Sequence, residues 1–278
     1  MKKHPFVSLL LVSVAVIFLL PPWLLIVQAW IPSFDAILVS SFAQPLVFFT
    51  AVPVTEQFED LFQRHTDVLS IISRDILWCF SSSAIQVILS VICGFLLAKY
   101  RSHFTEHTVL LYTLTLVLPM QMFLIPLYRI TEWIGMAGNP IFMYLVVAFS
   151  PLGAILMRQV FLKMPDEYAE SYRLEDTRMS RFLLHVVFPT GLPIAGVLFL
   201  LSFVDAWSMV EQPLLLLSDK RLYPLSMMLY EMRTHEPDTV YAASLCAFFP
   251  ICILLLIFLT LGVRIYLAKK FIYDSIHP

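Results

Sequence analysis

His103, Glu106 and His107 have the residue types and the spacing of a zinc site. The order H-x-x-E-H is an inverted zinc-protease signature, in which both imidazoles bind the metal. That chemistry needs the two histidines on one helical face, a third ligand and a substrate cleft. Here the motif falls in a short polar turn between two apolar segments, with no obvious third ligand. We therefore interpret it as a solvated turn and expect no metal.

A charged island between Lys163 and Arg181 has the composition of a protein-docking element. Nine of its 19 residues are charged, although the whole chain has only 18 basic and 20 acidic residues. Pro165 suits a first helical position, and acidic residues follow it, where the helix dipole favours negative charge. Tyr168 and Tyr172 are four residues apart and share a helix face. The alternative interpretation is an ordinary solvated loop.

The second half of the island predicts another short helix. Asp176 or Thr177 is placed to cap it, and the helix would run from about Arg178 until Pro189 limits it. Its apolar residues would face the membrane domain; these are Phe182, Val186 and Val187. The sequence therefore predicts two short helices joined by a turn, which is a shape that suits docking to a protein partner.

A polar stripe in a later apolar segment is a candidate solute site. Asp205, Ser208 and Gln212 follow the i, i+3, i+7 spacing of one helix face, and Trp207 beside them could form an aromatic wall. Ionisable residues inside membrane spans are costly and are therefore functional candidates. A packing hydrogen bond from Asp205 to another helix is the alternative. Gln121 is a weaker pathway candidate, because glutamines within spans often join helices.

The composition indicates an integral membrane protein. Hydrophobic residues make up 59% of the chain and charged residues 14%, with a mean hydropathy of +0.82. Soluble domains carry about 25% charged residues. The net charge of −2 and the absence of a dense basic patch argue against nucleic-acid binding. The four cysteines form no C-x-x-C pair, so we interpret them as small buried hydrophobes.

Six apolar segments are each about 20 residues or longer, which is enough to cross a membrane as a helix. The apolar runs are continuous, which argues against a transmembrane β-barrel. We predict an all-α polytopic membrane protein that forms a single domain over residues 1–278, with a cytoplasmic two-helix loop at about 163–190. The predicted spans are 6–30, 75–98, 107–128, 140–162, 192–217 and 241–267.

The placement of lysine and arginine predicts the orientation. With the N-terminus inside, twelve of these residues lie in inside segments and six lie outside. Both termini and the charged island are then cytoplasmic, and residues 31–74 form a long extracytoplasmic connection. The N-terminal apolar run continues to Trp30 without a clear cleavage site, so we expect a retained first helix. The third to sixth predicted spans carry proline, at Pro119, Pro126, Pro151, Pro193 and Pro250, which suits kinked helices around a path.

The segment from Met157 to Pro193 resembles the coupling segment of ABC importer permeases, the EAA loop. Pro165, Glu167, Glu170, Leu174 and Pro189 match the family pattern. The flanking stretches, LVLPMQMFLIPLYRITEWIGMAGNP and SFVDAWSMVEQPLLLLSD, also resemble permeases of the maltose or carbohydrate type. The resemblance covers about residues 75 to 267 and combines a motif, its spacing and its flanking segments.

The chain departs from the family pattern in the middle of the loop. Ser171 and Tyr172 replace two alanines, Glu175 replaces aspartate and Asp176 replaces glycine. Aspartate is one of the few residues other than glycine that tolerate a positive φ, so the turn can form at some cost. Because Tyr172 is far larger than alanine, we expect a dedicated ATPase with a matching cleft.

The resemblance implies a permease subunit of a bacterial inner-membrane importer for a sugar or similar polar solute. It implies a second permease subunit, with a heterodimer expected, together with two cytoplasmic ATPases and an extracytoplasmic solute-binding protein. No phosphate-binding loop of the form G-x-x-x-x-G-K-[ST] occurs, so we expect no enzyme activity or cofactor in this chain and place ATP and magnesium in the ATPases. The alternatives are an ATP-independent secondary transporter, which an internal repeat would favour, and an intramembrane enzyme.

Overall fold

A computed structural model describes residues 5–30, 55–100, 102–165, 179–236 and 239–276. Within these ranges the chain is helical and forms no β-strand; Gly138 and Leu217 make one isolated bridge. This confirms the all-α prediction. The chain forms two compact units, residues 1–72 with 228–252 and residues 73–227 with 253–278.

Within each described range the helices follow one another closely, with short breaks inside several of the predicted spans. They are α1 (Pro5–Ala29), α2 (Glu56–Arg64), α3 (Val68–Lys99), α4 (His103–Thr115), α5 (Gln121–Trp133), α6 (Ile141–Ala148), α7 (Pro151–Leu162), α8 (Met179–Phe182), α9 (Phe188–Trp207), α10 (Glu211–Leu216), α11 (Leu225–His235) and α12 (Val240–Ile276). A π-helical segment, Leu183–Val187, joins α8 to α9, and a 3₁₀ turn forms at Lys220–Leu222.

Three helical stretches in the described ranges are long and apolar enough to cross a membrane: Val68–Lys99, Leu183–Trp207 and Val240–Gly262. A fourth span results if α6 and α7, which bend by 41° at their junction, count as one. The first predicted span coincides with α1, whereas the third is divided into two helices of 13 residues each. The predicted number of six spans is therefore approximate.

The first unit has a small apolar core where the C-terminal half of α2 meets the start of α3. Leu61 and Val68 are fully buried there with Met232, Ala242 and Ala243. The His65 and Glu236 side chains lie 3.0 Å apart, and the Gln57 amide donates a hydrogen bond of 2.9 Å to the Gln28 carbonyl. Because Val68 packs in this core, α3 begins at Val68 rather than at residue 75, and the predicted outside connection is shorter on this side.

The second unit has its main core where α3, α7 and the start of α9 pack together. Phe95 contacts both Phe161 and Phe182 edge-on, with ring centroids 5.6 Å apart in each pair. Met157 and Val187 are completely buried in the same cluster. These contacts fix the α3–α7 pair beside the helix that carries the polar stripe.

Gly94 permits the close approach of α3 and α7. A Cβ atom built on Gly94 would lie 2.4 Å from the Met157 Cβ, 2.8 Å from the Arg158 nitrogen and 2.9 Å from the Ala154 carbonyl oxygen. Two of these three neighbours are backbone atoms, which cannot move aside as a flexible side chain can. The helices therefore need a residue without a side chain at this position.

We expect Gly94→Ala to lower the free energy of unfolding by about 1–3 kcal/mol, as overpacking of a core usually does. Thermal unfolding of the purified chain in mild detergent would measure the loss. Gly262→Ala is the matched control, because a Cβ on Gly262 has no neighbour within 4 Å. An equal change in both variants would contradict the close-packing interpretation.

Arg74 and Asp75, at the start of α3 in the second unit, hold the segment between α10 and α11. Arg74 donates to the carbonyls of Arg221 and Tyr223 at 2.7 and 2.6 Å. The buried Asp75 carboxylate accepts a hydrogen bond from the Leu225 backbone N–H at 2.5 Å and contacts the Arg74 guanidinium at 3.2 Å. The sequence did not indicate this clamp, because its partners lie about 150 residues away.

Candidate solute cavity

The break between α6 and α7 follows from two adjacent residues, Ser150 and Pro151. A residue before proline avoids the helical region, and Ser150 is extended, with φ −127° and ψ 95°. Its hydroxyl accepts a hydrogen bond of 3.0 Å from the Gly153 N–H, and Pro151 occupies the first turn of α7. Serine and proline thus begin a new helix in the middle of the predicted fourth span.

Two further breaks have related causes. Pro119 lies in the interruption between α4 and α5, and as a proline it has no N–H to continue a helical ladder. Pro213 in α10 leaves the Met209 carbonyl without its usual donor four residues on, and the Ser226 hydroxyl donates to this carbonyl instead. Interruptions at membrane depth are tolerated where they are buried in protein or line a cavity.

These three interruptions meet at one cavity of about 560 Å³ within the second unit. The first contributes Leu116, Met120 and Gln121, the second Phe149, Ser150 and Pro151, and the third Ser208, Met209, Val210 and Glu211. Helices α3 and α9 complete the wall with Gln86, Ser202 and Asp205. The volume lies in the range of small-molecule sites.

Four of the five residues that the sequence assigned to the solute pathway line this cavity. They are Gln121, Asp205, Ser208 and Gln212. Asp205 is near the middle of the predicted span 192–217, but in the structure it lies near the end of α9, next to the break that starts at Ser208. Because α9 ends at Trp207, the stripe continues across the break into α10.

Trp207, predicted as an aromatic wall, does not line the cavity. Its side chain is 8% exposed and stacks on Phe203, with ring centroids 5.8 Å apart and the planes inclined by 13°. Two residues along a helix rotate the side chain by about 200°, which carries Trp207 to the side of α9 opposite Asp205. It acts as a packing residue of α9.

The cavity wall is acidic and rich in hydrogen-bonding groups. The Gln121 amide donates a hydrogen bond of 3.0 Å to the Glu211 carboxylate. The Ser208 hydroxyl donates to the Val204 carbonyl at 2.8 Å. Among the described residues, no donor pairs with the Asp205 carboxylate, and none of the lining residues is lysine, arginine or histidine.

Sequence reasoning missed Ser202, which is 4% exposed and lines the cavity. Its hydroxyl oxygen is buried and has no hydrogen-bond partner among the residues that the structure describes. The signal was present, because Ser202 precedes Asp205 by three residues and so extends the same helical stripe. Ser150 and Glu211 were also absent from the predicted pathway set.

The island itself lies largely outside the described residues. Of the predicted coupling residues, only Pro165 is described; Glu167, Glu170, Ser171, Tyr172, Leu174, Glu175 and Asp176 are not. The residues at the start of the island and directly after its end make contacts within the second unit. The Lys99 ammonium donates to the Met164 carbonyl at 2.7 Å, and Phe182 is buried against Phe95.

Pro189 does not end the second helix of the island, in contrast to the prediction. The chain continues from Met179 to Trp207, because the π-helical segment before Pro189 shifts the hydrogen bonding by one residue. The Phe188 N–H donates to the Leu183 carbonyl, five residues back. Phe182 and Val187 are buried, and Val186 packs beside them, as their apolar character predicted.

The H-x-x-E-H motif lies in the first turns of α4 rather than in a turn. Ser102 and Thr105 form a capping box: the Thr105 N–H donates to the Ser102 hydroxyl at 3.2 Å, and the Ser102 N–H donates to the Thr105 hydroxyl at 2.9 Å. The His107 ring donates to the His103 carbonyl at 2.6 Å. Among the described residues, no group of three or more potential ligands is placed to hold a metal ion.

Comparison with known proteins gives one matching family model. The model described as "Binding-protein-dependent transport system inner membrane component" matches residues 87–270, which is well over half of the chain. This range includes the described residues that line the cavity, apart from Gln86, and both ends of the charged island.

The chain is also similar to curated transport proteins. It is 25% identical over 183 residues to the sn-glycerol-3-phosphate transport system permease protein UgpE of Shigella flexneri serotype 5b, a match that covers 64% of this chain and 65% of the relative. The corresponding Agrobacterium fabrum protein is 24% identical over 137 residues, covering 49% of each chain. The matches thus span about half to two thirds of these relatives.

A solved structure has the same fold. The chain aligns with a chain of a bacterial ABC transporter involved in the import of the acidic polysaccharide alginate, with a TM-score of 0.75 and 16% identity. The alignment covers 93% of this chain and 96% of that one. The family model over residues 87–270 confirms the family resemblance that the sequence predicted, and the shared fold agrees with it. The chain belongs to the family of binding-protein-dependent transport system inner membrane components, and it is a multi-pass membrane protein of that family.

Proposed function

We propose that this chain is a permease subunit of an ABC importer and forms half of the translocation path for a sugar or similar polar solute. The observation that carries the proposal is the convergence of three helix interruptions on one polar cavity. Solute sites of transporters commonly lie where interrupted helices expose backbone groups within the membrane. A packing role alone for Asp205 would not require an open cavity around its carboxylate.

The chemistry of the cavity suits a solute with many hydroxyl groups. Gln86, Gln121 and Gln212 supply amides that both donate and accept, while Asp205 and Glu211 supply acceptors. The relatives are named for sn-glycerol 3-phosphate and for alginate, an acidic polysaccharide. We therefore propose that the solute of this chain is also polar and rich in hydroxyl groups.

The proposal includes the partners that such an importer requires. A second permease subunit would complete the path, and two cytoplasmic ATPases would bind magnesium and ATP and dock on the loop at 163–190. An extracytoplasmic binding protein would deliver the solute. Both termini would then be cytoplasmic in a bacterial inner membrane, in agreement with the lysine and arginine bias.

Co-purification tests this function. When the affinity-tagged chain is extracted from its native membrane in mild detergent, we expect a second permease and an ATPase with a phosphate-binding loop to co-purify with it. The complex should hydrolyse magnesium–ATP, and the separated chain should not. A chain that is purified without an ATPase, yet transports solute after reconstitution, would contradict the proposal and indicate a secondary transporter.

A further inference from the structure

Among the described residues that line the cavity, two side chains are acidic and none is basic. Asp205 and Glu211 are its ionisable lining residues, and the nearest described partner of Glu211 is the neutral Gln121 amide at 3.0 Å. The Asp205 carboxylate has no donor among the described residues. Two carboxylates that line one cavity next to the end of a membrane-spanning helix disfavour any further negative charge there.

A second, independent feature indicates a ligand at the same wall. The Ser202 hydroxyl is buried, with the residue only 4% exposed, and within the described part of the chain its oxygen has no hydrogen-bond partner. Buried polar groups are nearly always paired, and an unpaired one carries a desolvation cost. Ser202 lies one helical turn before Asp205 and lines the same cavity, so a bound solute can satisfy both groups together.

From this arrangement we infer that the cavity selects a hydroxyl-rich solute that bears a positively charged amine and rejects phosphate- or carboxylate-bearing solutes. The ammonium would lie between Asp205 and Glu211, because an ammonium has three donors and no acceptor. A solute hydroxyl would pair with Ser202. The inference rests on the proposed function and narrows its solute class.

Specificity in such a site arises from rejection as much as from attraction. An anionic solute would place a third negative charge beside the two carboxylates, whereas a neutral sugar would leave their charge unbalanced. The order of affinity should therefore be amine-bearing, then neutral, then acidic. Hydrogen bonds to charged groups are stronger than those between neutral groups, so the three affinities should differ by measurable amounts.

Three sugars that differ at one substituent test this order: glucosamine, glucose and glucuronate. Each is titrated against the purified complex of this chain with its partner subunits, and the dissociation constant is obtained from the shift in thermal stability. We expect glucosamine to bind at least about tenfold more tightly than glucuronate, with glucose between them.

The double variant Asp205→Asn with Glu211→Gln should bind glucosamine and glucuronate with about equal affinity, so that the tenfold preference is lost. It removes both charges and changes the side-chain volumes little. Glu106→Gln is the matched control, since Glu106 lies in α4 outside the cavity wall. This control should keep the full preference.

Equal affinity for glucosamine and glucuronate, or an unchanged preference in the double variant, would overturn the inference. No saturable shift with any of the three sugars would also overturn it. If the ATPase still co-purifies in these cases, the proposed function stands and only the charge preference fails. Failure of the ATPase to co-purify would instead reject the function itself.

Discussion

Replacing Glu170 and Glu175 with alanine is expected to reduce the ATPase that co-purifies with this chain at least about tenfold, because truncating one member of a buried charge pair at an interface usually costs 2–5 kcal/mol. Both glutamates lie in the charged island, where the sequence resembles the coupling segment. Quantitative immunoblotting of the purified complex would measure the loss.

The membrane part of this double variant should remain folded. The described residues on either side of the island are held independently, by the Lys99 bond to the Met164 carbonyl and by the packing of Phe182 on Phe95. Thermal unfolding should therefore be unchanged.

Glu106→Ala is the matched control for charge loss outside the island, and it should retain the ATPase. Full retention by the double variant would show that the two carboxylates do not take part in docking. A decrease as large in Glu106→Ala would show that the loss is not specific to the island.

Local rules predicted much of the cavity wall from the sequence. The helical period predicted that Asp205, Ser208 and Gln212 lie together, and all three line the cavity although the last two lie beyond the end of α9. The same rule extends to Ser202. The helical period could not show that α9 ends at Trp207. That end depends on the segment from Val210 to Pro213 and on the distant Ser226, whose hydroxyl donates to the Met209 carbonyl.

Proline positions were only partly informative about the breaks. Pro119 and Pro151 mark interruptions, whereas Pro126, Pro193 and Pro250 lie inside continuous helices. The difference is physical, because a helix breaks where the residue before proline leaves the helical region and another group caps the new start, as Ser150 does. A proline alone carries no information about its capping partners.

Long-range pairs were beyond sequence reasoning. Gln121 and Glu211 are 90 residues apart, and nothing in either segment indicates that the Gln121 amide donates to the Glu211 carboxylate. The Asp75 contact with Leu225 spans 150 residues and was missed for the same reason. Pro189 was expected to end a helix because the π-helical segment, which accommodates it, has no clear sequence signal.

Under the proposed function, the cavity is part of a path that opens alternately to the two sides of the membrane. Ser208 is exposed, lines the cavity and lies at a helix break. The rate at which a water-soluble reagent labels a cysteine at this position therefore measures how open the cavity is to water. The four native cysteines, Cys79, Cys93, Cys246 and Cys252, must first be replaced by alanine. Leu259→Cys is the control, because Leu259 is an exposed apolar residue within the Val240–Gly262 span and outside the cavity wall.

The decisive measurement is the rate at which a membrane-impermeant maleimide labels Ser208→Cys from each side of vesicles that contain the complete importer. Rates are compared between the nucleotide-free state and the state trapped with ATP and vanadate. We predict that the faster side reverses between the two states, with each rate changing at least about tenfold as the population shifts. Leu259→Cys should stay unlabelled in both states. Equal Ser208→Cys rates from both sides, or rates that do not respond to nucleotide, would contradict the account.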